Sequence, residues 1–291
     1  MDKLELKALA KINLGLDVLG RRENGYHDVR MVMQTIYLYD DVILEKTKEP
    51  GIHLETNLPY LPVDENNIAY KAARILMDEF DIQTGMNIRL RKFIPVSAGM
   101  AGGSTNAAAV LFGMNRMFDL QLSEQQLKDR GVKLGADVPY CIMRGTVLAE
   151  GIGEILTPLS PMPKCYVLIA KPGISVSTKT VYEKFDALTE VPHPDIDGLI
   201  QGLDGGDLRR VAASMGNVLE GVTIGEYPVI EEIKNVMKQE GALNAMMSGS
   251  GPTVFGIFAD RRTAKKACYV IREKKLARQI YLTNIHNTRR R

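Results

Sequence analysis

Residues 95–105 constrain this chain more than any other stretch. They read Pro-Val-Ser-Ala-Gly-Met-Ala-Gly-Gly-Ser-Thr and run straight into an alanine-rich segment from Ala107. Just upstream, residues 86–94 alternate, with apolar Met86, Ile88, Leu90 and, one step out of phase, Phe93. Alternation, then glycines, then a helix-forming run spells strand, loop, helix start. Gly99, Gly102 and Gly103 lack a β-carbon, so the backbone can take positive φ and let its amide hydrogens converge on one point. The helix behind adds unpaired first-turn donors and the positive end of its dipole, worth roughly 0.3–1 kcal/mol when exposed and up to about 2 kcal/mol when partly buried. An anion is drawn to such a point, and a phosphate is the natural guest. A glycine turn capped by Ser104 is the plainer alternative.

Two familiar nucleotide loops do not fit. A Walker A loop ends in Gly-Lys-Ser/Thr, and no Gly-Lys pair occurs in the chain. A dinucleotide fingerprint needs Gly-x-Gly-x-x-Gly with an acid about 20 residues onward, which the spacing of Gly99, Gly102 and Gly103 does not give.

A chain of 291 residues has room for two modest domains. A formal net charge of +2 gives no reason to expect a nucleic-acid partner, which demands a concentrated basic face. The closing Arg289-Arg290-Arg291 reads as a solvated tail. Cys141, Cys165 and Cys268 are odd in number and lack metal spacing, so they read as reduced thiols of a cytoplasmic protein, with Cys141 and Cys165 in core packing. The N-terminus has no basic region followed by an apolar core, and no apolar run reaches the ~18 residues of a membrane span. A soluble, unprocessed protein with no membrane partner is expected.

Strand patterns come first, with Leu4, Leu6 and Ala8, then Ile12, Leu14 and Leu16, then residues 29–38 and 42–46. The first helix is expected to begin at Asn67, with Ile68, Ala72, Ile75, Leu76 and Phe80 on one face. Another should follow the glycine loop. A third opens with Ser123 and a capping-box Gln126. Asp137 then sits in Gly-Ala-Asp-Val-Pro, where Pro139 is expected to stop any helix. The prolines at 158, 161 and 163 mark a boundary between domains 1–158 and 159–291. Beyond it the spacing predicts strand 165–170, helix 229–238, strand 253–258, helix 263–274 and strand 280–285, an α+β order compatible with a split βαβ unit. Residues 188–207, rich in proline, glycine and aspartate, read as a mobile surface region.

The loop at 95–105 resembles the second motif of the GHMP kinase superfamily. Ala8-Leu9-Ala10-Lys11-Ile12-Asn13-Leu14 is similar to that family's first motif, and Met247-Ser248-Gly249-Ser250-Gly251-Pro252-Thr253 to its third. Gly25-Tyr26-His27 and Leu134-Gly135-Ala136-Asp137-Val138-Pro139 point to its cytidine-recognising branch. The resemblance implies a two-domain α+β fold: an N-terminal mixed sheet with helices, a C-terminal ferredoxin-like split βαβ domain, and an active site in the cleft between them. It also implies ATP and Mg2+ as cofactors, and a small-molecule substrate, cytidine diphosphate methylerythritol, phosphorylated on its 2-hydroxyl in isoprenoid precursor synthesis.

The same resemblance distributes the roles. Pro95, Val96, Ser97, Ala98, Gly99, Met100, Ala101, Gly102, Gly103, Ser104 and Thr105 would hold the ATP phosphates, with the Ser104 and Thr105 hydroxyls reaching phosphate oxygens or the metal, or simply capping the helix. Met100 and Ala101 stand where many members have leucine and glycine. Asn67 would contact adenine, with helix capping as an alternative. Lys11 would lie by the acceptor hydroxyl, where a cation ~4 Å from developing negative charge contributes about 4 kcal/mol at an effective dielectric near 20. Asp137 would accept the hydroxyl proton. Asn13, on the same strand face as Lys11, would bind substrate or satisfy backbone groups. Tyr26, His27 and Thr178 would hold the substrate with Tyr182, a phenylalanine in some relatives, while Ser248 and Gly249 would support the phosphates. The metal ligands are left open, as is the choice between monomer and homodimer. The rival readings are another kinase of the superfamily, of homoserine or mevalonate type, and a nucleotide-binding regulator without catalysis.

Overall fold

The computed structural model describes residues 1–288, so the expected tail at 289–291 lies outside the described residues. The strands are β1 (Lys3–Arg21), β2 (His27–Thr47), β3 (Ile52–Thr56), β4 (Gly85–Arg91), β5 (Thr146–Glu150), β6 (Ile155–Pro158), β7 (Tyr166–Lys171), β8 (Gly216–Asn217), β9 (Asn244–Met247), β10 (Val254–Phe258) and β11 (Gln279–Asn284). The helices are α1 (Ile68–Glu79), α2 (Gly102–Met117), α3 (Glu124–Gly131), α4 (Val138–Met143), α5 (Thr178–Phe185), α6 (Ile196–Asp204), α7 (Leu208–Ala213), α8 (Glu220–Glu226), α9 (Val229–Gln239) and α10 (Arg261–Glu273). They form two compact units. The first comprises Met1–Ala10, Leu38–Val96 and Ala101–Met143; the second comprises Lys11–Tyr37, Ser97–Met100 and Arg144–Arg291.

In the first unit β3 runs parallel to β4, and β4 pairs antiparallel with the end of β2, Val42 opposite Leu90 and Leu44 opposite Ile88. This is the mixed sheet that the sequence leads one to expect. α1 packs on α2, which in turn meets α3 and α4. The alanines of α2 allow burial on nearly every side, and at Gly113 an added β-carbon would lie 2.4 Å from a methyl of Leu44. Asn67 caps α1, its side chain accepting from Ala69 N, and the Ser123/Gln126 capping box on α3 forms in both directions. Such caps contribute ~1 kcal/mol each. Pro139 corrects an expectation: it starts a helix instead of stopping one. It lies in the first turn of α4, where a missing N–H leaves no bond unmade.

In the second unit β1 takes β8 in parallel at Gly15 and Leu16, and the early part of β2 takes β5, which takes β6. A separate antiparallel sheet has the order β11-β7-β10-β9. With α9 before β9 and α10 before β11, both packed on this sheet, the chain order is βαββαβ, the ferredoxin-like arrangement expected from sequence. Of the segment 188–207, residues 188–195 are irregular and mostly exposed, but the remainder is largely ordered into a helix. That helix is α6, capped by the Asp195 side chain and anchored through buried Ile196, Leu199 and Leu203.

Candidate functional site

In the second unit parts of all three motifs meet. Lys11 N donates to Met100 O at 3.3 Å, joining the first motif to the second. Lys11 is only 5% exposed and Asn13 is fully buried, and Lys11 Nζ donates to Asn13 Oδ1 at 2.8 Å, as two residues on one strand face can. Asn13 Nδ2 points to the Met31 sulfur, 3.4 Å away. Gly99 has φ +70, and a β-carbon there would fall 2.0 Å from Ser248 O; only glycine permits this approach. The Ser248 hydroxyl donates to Gly99 O at 2.9 Å. A β-carbon on Gly249 would stand 3.3 Å from the Gly99 Cα and 3.7 Å from Asn13 Oδ1, which closes the triangle.

In the first unit α2 begins at Gly102 with Ala101 left-handed at its N-cap (φ 55) and no side chain capping it. The expected Ser104 cap is therefore absent, and the first-turn amides of Gly102, Gly103 and Ser104 have no capping oxygen. An anion is what such a helix end attracts, so the residues present fit a nucleotide phosphate. The Thr105 hydroxyl is committed to Leu9 O at 2.8 Å, and both groups of the Asn67 amide serve the α1 cap and Pro62 O. Pro95 and Val96 lead out of β4 toward the loop. Asp137 is half-buried ahead of α4, and its carbonyl accepts from Cys141 N at 3.0 Å. No cluster of three or more carboxylate, histidine or cysteine side chains suited to a metal occurs among the described residues. Magnesium tolerates this, because it binds through one or two protein groups when phosphates supply the rest.

The base-recognition candidates lie in the second unit. Tyr26 is exposed after the Gly25 turn. The His27 and Tyr182 rings are 4.6 Å apart, tilted by 35°. Thr178, at the start of α5, shares a 2.8 Å hydroxyl contact with Ser250.

Three buried networks escaped sequence reasoning. Asn217 Nδ2 donates to Met247 O at 2.9 Å and Gly249 O at 2.8 Å, so β8 holds the third glycine turn. Beside it Glu220 accepts from Met247 N at 2.7 Å and pairs with Lys234. Burial alone would lower the Lys234 ammonium, but Glu220 and Glu231 outweigh it and the net shift is upward. In the first unit Lys92 Nζ bonds Asp40, Asn106 Oδ1 (2.6 Å) and Gly102 O (3.2 Å), while Asp40 Oδ1 accepts from Phe93 N and Ile94 N. Burial holds the Lys92 ammonium below its ordinary value despite Asp40. This network fixes the start of α2. Its only sequence signal is charge inside otherwise apolar strand ends.

Comparison with known proteins agrees with this geometry. The family of GHMP kinases N terminal domains matches residues 67–145 and that of GHMP kinases C terminal domains residues 199–275. A 4-diphosphocytidyl-2-C-methyl-D-erythritol kinase of Lachnospira eligens is 57% identical, over 97% of this chain and 98% of its own. One of Lachnoclostridium phytofermentans is 52% identical over 99% of both chains. A crystal structure of 4-(cytidine 5'-diphospho)-2C-methyl-D-erythritol kinase superposes with TM-score 0.83 at 29% identity, over 98% of this chain and 100% of that one. A homoserine kinase from Cytophaga hutchinsonii, at 20% identity over 98% of this chain and 95% of that one, shares the fold with TM-score 0.78. The chain belongs to the GHMP kinases and, within them, to the 4-diphosphocytidyl-2-C-methyl-D-erythritol kinase family. No helix among the described residues is long and apolar enough to cross a membrane.

Proposed function

We propose that the protein transfers a phosphoryl group from ATP to the 2-hydroxyl of 4-diphosphocytidyl-2-C-methyl-D-erythritol, a step of non-mevalonate isoprenoid precursor synthesis. The convergence of Lys11 and Asn13, Gly99 and Met100, and Ser248 and Gly249 carries this reading. Residues 1–158 and 159–291 are taken as the two sequence domains because the boundary falls between the two family matches, although the compact units interleave along the chain and divide it differently.

Phosphoryl transfer through a loose transition state asks for positioning and charge neutralisation. Residues 95–105 and the uncapped start of α2 hold the ATP phosphates, and Ser248 and Gly249, which touch Gly99, support them. Lys11, oriented by Asn13, neutralises charge at the acceptor oxygen. Asp137 accepts the hydroxyl proton; a carboxylate is a weak base for an alcohol, so proton transfer is late and orientation counts most. Transfer is direct and in line, without a phosphoenzyme. A bound magnesium ion would supply charge neutralisation to the phosphates, and the Ser104 hydroxyl is the side chain that would help to hold it. Tyr26, His27, Thr178 and Tyr182 take the cytidine diphosphate end; base stacking on such rings is worth ~1–3 kcal/mol. A homoserine- or mevalonate-type acceptor has no base to occupy that end.

Asp137→Asn tests the assignment. Turnover should fall at least ~100-fold with folding intact; near-normal turnover would refute it.

A further inference from the structure

One carboxylate beside the base-recognition rings has been given no role. Asp186, at the C-cap of α5, lies one helical turn beyond Tyr182, and its backbone N–H donates to Tyr182 O. That spacing turns both side chains toward His27. The Tyr182 ring lies against the imidazole, and Asp186 Oδ1 is 2.6 Å from His27 Nε2. The other carboxylate oxygen, Oδ2, faces Arg21 Nη1 at 3.4 Å. The His27 side chain is 9% exposed, so its ring is held between these partners and does not turn freely in water.

The contact has a chemical consequence. An ionised carboxylate only accepts, so Nε2 must carry the hydrogen. In a neutral imidazole the proton on one nitrogen leaves a lone pair on the other, and the partner of the first nitrogen decides which it is. In the neutral ring, Nδ1 of His27 is thereby the acceptor. Cytosine offers an exocyclic amine at the position where uracil offers a carbonyl oxygen. An acceptor at Nδ1 completes a hydrogen bond with the amine and opposes a lone pair to the carbonyl. Sites built around one polar partner discriminate strongly, because the wrong ligand leaves buried groups unpaired.

We propose that Asp186 is a positioning residue for base selection: by fixing the proton of His27 on Nε2 it keeps Nδ1 an acceptor, so that the site takes an amino-pyrimidine and turns away its oxo counterpart. This rests on the reading above that His27 faces the base. Without the carboxylate the ring can carry its proton on Nδ1 and donate to uracil, so selectivity, more than overall activity, is the quantity Asp186 controls.

The test compares kcat/KM for the cytidine diphosphate methylerythritol substrate and its uridine counterpart. In Asp186→Ala the cytidine-to-uridine ratio should fall about tenfold or more, through a loss with cytidine and a gain with uridine. Asp186→Glu should restore part of the ratio. Arg21→Met, which spares the Nε2 bond, should keep it. Equal losses on both substrates in Asp186→Ala would mean that the pair merely braces α5, and would overturn the proposal. Should the alanine variant fold poorly, Asp186→Leu, which keeps the bulk but offers no acceptor to Nε2, is examined by direct binding of cytidine 5'-diphosphate and uridine 5'-diphosphate. A narrowed Kd gap supports the proposal and an unchanged gap rejects it. A native protein that uses both substrates equally would overturn the reading of the base site itself, and this inference with it.

Discussion

Lys92→Met is the perturbation whose cost follows most directly from the structure. The ammonium and the Asp40 carboxylate have side-chain exposures of 5% and 0%. Removing the cation leaves a carboxylate without water or counter-charge, still accepting from Phe93 N at 2.7 Å, Ile94 N at 2.9 Å and Asn106 Nδ2 at 3.0 Å. Breaking one side of a buried pair costs about 3–5 kcal/mol. Against a total stability of about 5–15 kcal/mol the variant should still fold, but marginally. At roughly 2–4 °C per kcal/mol the melting temperature should drop by ~6–20 °C. Urea unfolding followed by circular dichroism reads the loss directly. The double variant Asp40→Asn with Lys92→Met should recover most of it, because an amide oxygen still accepts from the two backbone amides and no charge remains buried. A loss below about 1 kcal/mol in Lys92→Met, or a double variant no better than the single one, would refute the reasoning.

Two further substitutions probe the glycine turns. Gly99→Ala forces a β-carbon to 2.0 Å from a backbone oxygen at φ +70, so the two loops must part. Stability should fall by at least about 1–2 kcal/mol and kcat/KM for ATP by about tenfold or more; native kinetics would contradict the close packing. Asn217→Asp sets a carboxylate against the Met247 and Gly249 carbonyls that the amide now holds, and should cost about 2–4 kcal/mol in chemical denaturation. An unchanged midpoint would remove Asn217 from the support of the third turn.

Local chemistry made much of this protein legible in its sequence. The α1 cap at Asn67, the Ser123/Gln126 box, the strand before the glycine loop and the βαββαβ order all depend on neighbours in the chain. Contacts across long separations were not legible. Asp40 meets Lys92 and Asn106 from 52 and 66 positions away, and Asn217 reaches Gly249 across 32. No periodicity announces a buried polar side chain whose partners are backbone carbonyls. The errors have physical sources as well. Within 188–207 the proline- and glycine-rich composition hides a helix that Asp195, Ile196, Leu199 and Leu203 mark at helical spacing. A proline reads as a helix breaker, but Pro139 stands in the first turn of α4, where proline is welcome. Of the candidate site, the motif residues were legible; Asp186, which sets the His27 ring, was not, because its meaning depends on which nitrogen it faces.

The central claim is tested most directly by incubating the protein with ATP, magnesium and 4-diphosphocytidyl-2-C-methyl-D-erythritol, and locating the new phosphate by phosphorus–proton correlation. The account predicts stoichiometric ADP and a phosphate ester on the 2-hydroxyl, with no turnover of homoserine or mevalonate. Turnover confined to an acceptor without cytidine, or nucleotide binding with no transfer to any of them, would contradict it.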